Sequence, residues 1–151
     1  MKKEYCVEKI REFNRFYMPS MNLLGNHYLG SEYSVTEARI FFEIYEHEGC
    51  NAASIARNMN IDKSYLSRII RNHEKNGYIQ RKSSDTDARS NLLFLTSNGK
   101  RRAEKFISDS NSEIEKIIKN LTKEEEKDLI KAIDIIIKLL DKGESGGHNE
   151  N

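Results

Sequence analysis

Residues 51–68 read Asn51-Ala-Ala-Ser-Ile-Ala-Arg-Asn-Met-Asn-Ile-Asp-Lys-Ser-Tyr-Leu-Ser-Arg68, and the chain continues through His73-Glu-Lys-Asn-Gly-Tyr-Ile-Gln-Arg-Lys82 and Ser84-Asp-Thr-Asp-Ala-Arg89 to Leu95-Thr96. This stretch reads as two short helices followed by a charged hairpin. In the segment from Asp62 to Gly77, Leu66, Ile69 and Ile70 recur at i, i+3 and i+4, which places them on one helical face. They would bury against Ala53, Ile55 and Ala56 of the preceding helix. The opposite face carries Lys63, Ser64, Ser67, Arg68 and Arg71. Those types suit a major-groove surface, because arginine pairs with guanine in two-pronged fashion, serine reaches base edges or phosphate, and lysine reaches phosphate. Asp62 is a natural N-cap, and the helix start behind it favours a phosphate. Tyr65 can stack on a sugar or touch a thymine methyl, and Asn51 and Ser54 join the candidate DNA-facing set from the first helix.

Tyr78–Arg81 and Asn91–Leu95 are the strand candidates of the hairpin, separated by a polar tip. Lys82, Asp85, Asp87 and Arg89 crowd that tip, which is costly unless the charges pair or meet a polyanion. The arrangement expected here has Asp87 orienting Arg89, whose guanidinium enters a minor groove beside the major-groove helix.

Charge is unevenly spread. The net charge is only +1, but residues 57–105 hold 12 Lys/Arg against 5 Asp/Glu, whereas residues 1–56 hold 6 against 8 and residues 106–151 hold 7 against 11. The positive surplus sits on the reader and the start of the following helix, which suits a regular polyanion such as duplex DNA. At 151 residues the chain is one domain's worth. No apolar run approaches the roughly 18 residues of a membrane span, and Met1-Lys-Lys is followed by mixed charge rather than a signal-peptide core. Two cysteines make no disulfide framework, so a reduced, cytoplasmic location is expected.

Outside the reader, residues 4–29 are predicted as one long helix, with Val7, Ile10, Phe13, Tyr17, Met21 and Leu24 along a stripe and a kink at Pro19. Ser34-Val-Thr-Glu37 is a capping-box pattern opening a helix with Ile40, Phe41, Ile44 and Tyr45 on one face. A long helix follows Gly99 to about Asn120, and Thr122-Lys-Glu-Glu125 caps a last one carrying Leu129, Ile133, Ile136, Ile137 and Leu140. Residues 143–151 are expected to be a disordered tail. The first and last helices are too apolar on one stripe to stand alone, which points to burial against a second copy.

With these residues in view, the chain resembles the MarR (multiple antibiotic resistance regulator) family of transcription factors. The family wing carries Asp-x-Arg and then a strand ending Leu-Thr-x-x-Gly, matched by Asp87-Ala-Arg89 and Leu95-Thr-Ser-Asn-Gly99. Leu66-Ser-Arg-Ile-Ile-Arg-Asn-His-Glu-Lys-Asn-Gly-Tyr-Ile79 is similar to the family's recognition helix and its glycine-terminated exit. The likeness covers residues 4–141, and Phe13-Asn-Arg-Phe-Tyr17 and Tyr33-Ser-Val-Thr-Glu-Ala-Arg39 are also similar to the regulator half of MarR–acetyltransferase fusions, without implying acetyltransferase activity here. The resemblance implies a mainly α fold: a winged helix-turn-helix with long N- and C-terminal dimerisation helices and a two-stranded wing. One domain over residues 1–142 is expected, with the reader at 34–96 and the dimerisation helices at 4–29 and 97–141. It further implies a homodimer whose readers lie about one DNA turn apart, roughly 34 Å, on an inverted repeat. A ligand-responsive repressor is the expected role. A small-molecule effector is implied between dimer helices and reader, with Phe13, Arg15, Tyr17, Phe41 and Tyr45 as candidate contacts. The alternatives are a small-molecule sensor, or a helical interaction module, that keeps the fold without binding DNA.

Cys6 lies where some MarR-like sensors carry a peroxide-reactive cysteine, but the sequence shows no polar partners to activate it. His47-x-x-Cys50 offers two possible zinc ligands where a structural site takes four. No nucleophile–base pair, phosphate loop or metal motif argues for an enzyme, and no cofactor is expected.

Overall fold

A computed structural model describes residues 2–83 and 91–145, with side chains as far as Gly143. The element order is α1 (Lys3–Ser20), a 3₁₀ turn (Tyr28–Gly30), α2 (Val35–Glu46), α3 (Ala52–Met59), α4 (Lys63–Lys75), β1 (Ile79–Ser83), β2 (Asn91–Leu95), α5 (Ser97–Ile118) and α6 (Lys123–Ser145). The chain divides into two compact units, Met1–Asn111 and Ser112–Asn151.

In the first unit the core is built where α2, α3, α4 and the hairpin converge. Ile40, Phe41, Ile44, Ile55, Leu66 and Ile70 are buried together with Ile79, Leu93 and Leu95. Each such side chain contributes about 1.5–3 kcal/mol by leaving water. Phe41 is the hub of an aromatic cluster, with His73, Tyr78, Phe106 and Tyr33 rings at 4.9, 6.0, 6.0 and 6.2 Å. β1 and β2 pair antiparallel from Ile79 opposite Leu95 to Ser83 opposite Asn91. Cys50 adds a bridge to Leu93, through Gly49 N–H to the Leu93 carbonyl at 2.8 Å and Leu93 N–H to the Cys50 carbonyl at 2.8 Å.

The helix starts follow their capping residues. Ser34 Oγ accepts from Glu37 N–H (3.2 Å), Asn51 Oδ1 from Ser54 N–H (2.9 Å) and Asp62 Oδ2 from Tyr65 N–H (3.0 Å). In the second unit Thr122 and Glu125 close a reciprocal capping box at 3.1 and 3.2 Å. Each cap satisfies a backbone N–H that has no partner inside its helix.

Two boundaries differ from expectation. The helix predicted over residues 4–29 ends at Ser20, so Pro19 terminates it rather than kinking it. Proline lacks the N–H for the last turn, and Asn22 (φ 58°) and Gly25 (φ 93°) then turn the chain through left-handed backbone. At the other end, residues 143–145, expected in the tail, belong to α6, which continues through Gly143 to Ser145. A glycine costs a helix only about 1 kcal/mol, too little to stop a 23-residue helix. Among the described residues no helix is long and apolar enough to cross a membrane.

Candidate nucleic-acid interface

The second reader helix, α4, is fixed from beneath and open above. Leu66, Ile70 and His73 are buried, which fixes the helix's rotation about its own axis. Lys63, Ser64, Ser67, Arg68 and Arg71 then line one open groove on the outward side. Tyr65 is 42% exposed beside them. The structure thus brings together the residues that sequence pattern placed on one face. Asn51 and Ser54 serve first as local structure: Asn51 caps α3, and Ser54 Oγ donates back to the Asn51 carbonyl at 2.8 Å. Asp62 likewise spends one carboxylate oxygen on its cap.

α3 is held against α2 by a buried acid. Glu43, 5% exposed, accepts from Arg39 Nε at 2.8 Å and from Asn58 Nδ2 at 3.3 Å. Neither Glu43 nor Asn58 was singled out in the sequence, because a buried carboxylate in an amphipathic helix looks like any surface glutamate until its partners are seen.

The exit from α4 explains the Leu-Thr-x-x-Gly pattern. Gly77 takes φ +83°, a left-handed turn that ends the helix. Tyr78 N–H donates to the His73 carbonyl at 2.9 Å, and the Tyr78 carbonyl accepts from Thr96 N–H at 3.0 Å. Thr96 Oγ1 donates to the Gly77 carbonyl (2.7 Å) and accepts from Gly99 N–H (3.0 Å), so one hydroxyl ties the recognition helix's exit to the start of α5. Any Cβ on Gly99 would collide with the Tyr78 carbonyl oxygen.

The hairpin is braced to α4 by Arg81, whose Nε donates to Glu74 at 2.8 Å, an ion pair that sequence analysis missed. Lys82 is exposed, with its ammonium 4.7 Å from the Phe94 ring centroid. Asp85, Asp87 and Arg89, expected at the wing tip, lie outside the described residues.

His73 is wholly buried, and neither ring nitrogen has a hydrogen-bond partner among the described residues. Burial, with a smaller contribution from the charge on Arg102, pushes its pKa below the ordinary value. Glu37 Oε2 lies 4.0 Å from Nε2, and burial holds the Glu37 carboxyl above the usual range.

The proposed effector contacts are not alike. Phe41 is wholly buried, at the centre of the aromatic cluster. Tyr45 is half-buried against that core. Phe13 and Tyr17 stack at 5.2 Å on exposed α1, where Arg15 is also exposed. Cys6 is exposed. Cys50 is half-buried, and burial pushes its thiol pKa up. Among the described residues no group of three or more His, Cys, Asp or Glu side chains is placed to hold a metal ion.

Comparison with known proteins bears on this reader directly. Residues 33–90 match the model of the MarR family. Over that segment the chain is similar to the MarR family. The chain is 29% identical over 92 residues to the HTH-type transcriptional regulator BilQ of Clostridium symbiosum (strain WAL-14163), a match covering 60% of this chain and 64% of that one. It is 26% identical over 113 residues to the HTH-type transcriptional repressor YetL of Bacillus subtilis (strain 168), covering 72% and 66%. The chain therefore spans just under two thirds of the length of these curated relatives. The fold is shared with Streptococcus pneumoniae FabT, solved in complex with DNA, at a TM-score of 0.71 and 20% identity over 93% of this chain and 99% of that one. The segment matched by the family model contains α3, α4 and β1, set on a mainly helical fold.

Proposed function

We propose that this chain is a MarR-family, sequence-specific, double-stranded DNA-binding transcription regulator. It acts as a homodimer on an inverted repeat, as a repressor released by a small-molecule effector. One observation carries the DNA reading: Lys63, Ser64, Ser67, Arg68 and Arg71 share one outward groove on a helix whose other face is locked in the core. A helix so fixed presents cations and hydroxyls in a constant register, as major-groove reading requires. The DNA complex of FabT, which shares the fold, and the repressor name of YetL support the reading.

In this scheme Arg68 and Arg71 reach base edges, and Lys63, Lys82 and the start of α4 hold phosphates. Arg89, oriented by Asp87, enters the minor groove. The exposed apolar residues of α1 and α6 bury against the second copy.

The test is selection of bound sites from random duplex DNA. An inverted repeat with half-site centres about 10 base pairs apart is the expected outcome. Recovery of no preferred sequence, with no retention on random duplex at low salt, would sink the DNA reading and favour an interaction module. Arg68→Ala is expected to lose sequence preference along with affinity. Lys82→Ala should weaken all DNA alike and lower the salt slope by about one unit.

A further inference from the structure

The last turn of α4 carries a histidine that the proposed DNA contacts do not use. His73 is wholly buried, and among the described residues neither Nδ1 nor Nε2 has a hydrogen-bond partner. An imidazole so placed is costly, because its donor and its acceptor have both given up water without replacement. A phenylalanine ring would fill such a space without that cost. What the imidazole offers instead is uptake of a proton near neutral pH.

The surroundings favour the charged ring on one side and oppose it on another. From α2, Glu37 places Oε2 4.0 Å from Nε2, just beyond hydrogen-bond reach. The rings of Phe41, Tyr33 and Tyr78 lie at 4.9, 5.4 and 6.3 Å, and aromatic faces attract a cation. From α5, Arg102 opposes a second positive charge, and Glu32, ahead of α2, favours it less strongly than Arg102 opposes it. Burial keeps the Tyr33 phenol protonated above its ordinary range. Burial also lowers the pKa of His73 and raises that of Glu37. Each therefore holds its charge reluctantly alone, and both gain by being charged together.

The ring also sits against the clamp that ends the recognition helix. The Arg102 guanidinium stacks on the Tyr33 and Tyr78 rings at 4.7 and 4.5 Å, donates to the Tyr78 hydroxyl at 2.9 Å and meets Glu32 at 3.3 Å. Tyr78 N–H in turn donates to the His73 carbonyl at 2.9 Å. His73 thus meets Tyr78 through both backbone and ring, and a shift of the ring toward Glu37 is a shift at the exit of α4.

We propose that His73 and Glu37 form a proton-operated latch beneath the recognition helix. Protonated on both nitrogens, the ring donates Nε2–H to the Glu37 carboxylate, closing the 4.0 Å gap, and repels Arg102. The Arg102–Tyr78 clamp slackens, the exit of α4 moves, and DNA is held less tightly at acid pH than at neutral pH. The latch stands on the packing around His73, while its effect on DNA rests on the reading proposed above.

The test follows the full chain by nuclear magnetic resonance from about pH 7.5 to about pH 5, reading the His73 ring and the backbone amides of Glu37 and Tyr78. One shared step below the ordinary histidine range is expected. The amide steps should vanish in His73→Phe, and the ring's step should move to lower pH in Glu37→Gln. A ring that stays neutral until the chain unfolds, amide steps that persist in His73→Phe, or a ring step unmoved in Glu37→Gln overturns the latch. DNA affinity is then measured at fixed ionic strength, at about pH 7.5 and about pH 5.5, with the duplex recovered by selection. Over that interval the wild type should weaken at least about fivefold more than His73→Phe. Equal weakening overturns the coupling but not the latch. Failure of both proteins to bind any duplex at either pH, with the ring titration intact, faults the DNA reading instead.

Discussion

Gly99 holds its place for want of a side chain. It is buried beneath the Tyr78 carbonyl, and a methyl group there has backbone rather than a yielding side chain in its way. Gly99→Ala is therefore expected to destabilise by about 1–3 kcal/mol, the usual range for overpacking, read as a shift of the urea midpoint. His73 sets a pH dependence. Burial lowers its pKa from 6.5, so the folded state binds fewer protons than the unfolded one. The stability this gives is complete above about pH 6.5 and is lost as pH falls through the folded value. Glu37, whose pKa is raised from 4.5, acts oppositely: its contribution is complete below about pH 4.5 and is lost as pH rises. Comparing His73→Phe with wild type separates the two. The variant should lose less stability between pH 7 and 5, and equal losses in thermal melts would refute the histidine's part. Residues of this kind are poorly legible in sequence. Leu66, Ile69 and Ile70 announce their face by spacing alone, but the burial of His73 and Glu43 depends on neighbours 15 or more residues away, such as Asn58 and Tyr33.

At the scale of elements, local signals proved readable and non-local ones did not. Ser34, Asn51, Asp62 and Thr122 begin helices because each cap bonds an N–H only three residues on. The hairpin partners followed from their apolar runs. The bridge between Cys50 and Leu93 had no local signature, and Glu74–Arg81 joins helix to strand across a turn. The end of α1 was misjudged because apolar spacing continues through Met21 and Leu24 although the backbone has already turned. Two measurements probe these elements. Asp62→Ala should lower stability by about 1 kcal/mol through loss of the α4 cap, seen in chemical denaturation. Arg81→Ala should change stability by less than about 1 kcal/mol, since the pair is partly solvated. It should weaken DNA binding nonetheless, because the wing loses its brace to α4, and an unaltered binding isotherm would show that the brace is dispensable.

For the whole molecule, charge and apolar surface point to different partners. The basic surplus lies between residues 57 and 105, while α6 leaves Leu129, Ile130, Ile133, Ile136, Ile137 and Leu140 exposed. Isolated exposed apolar side chains are ordinary, but so many on one helix need cover. Each contributes about 1.5–3 kcal/mol when fully buried, so six from each copy can cover both the roughly 4–15 kcal/mol that association costs and the net 8 or so kcal/mol of a micromolar dimer. Ile133→Lys/Ile137→Lys places two ammonium groups in that surface, and desolvating them outweighs the gain from association. Sedimentation is expected to show a dimer for the wild type and a monomer for the variant, with helical circular dichroism retained. The monomer loses the second half-site's contribution, so affinity for an inverted repeat should fall by two or more powers of ten, while weak, salt-dependent binding to random duplex persists. A variant that stays dimeric would place the self-association surface elsewhere. A variant that is monomeric yet binds the repeat as tightly as the wild type would show that one reader suffices.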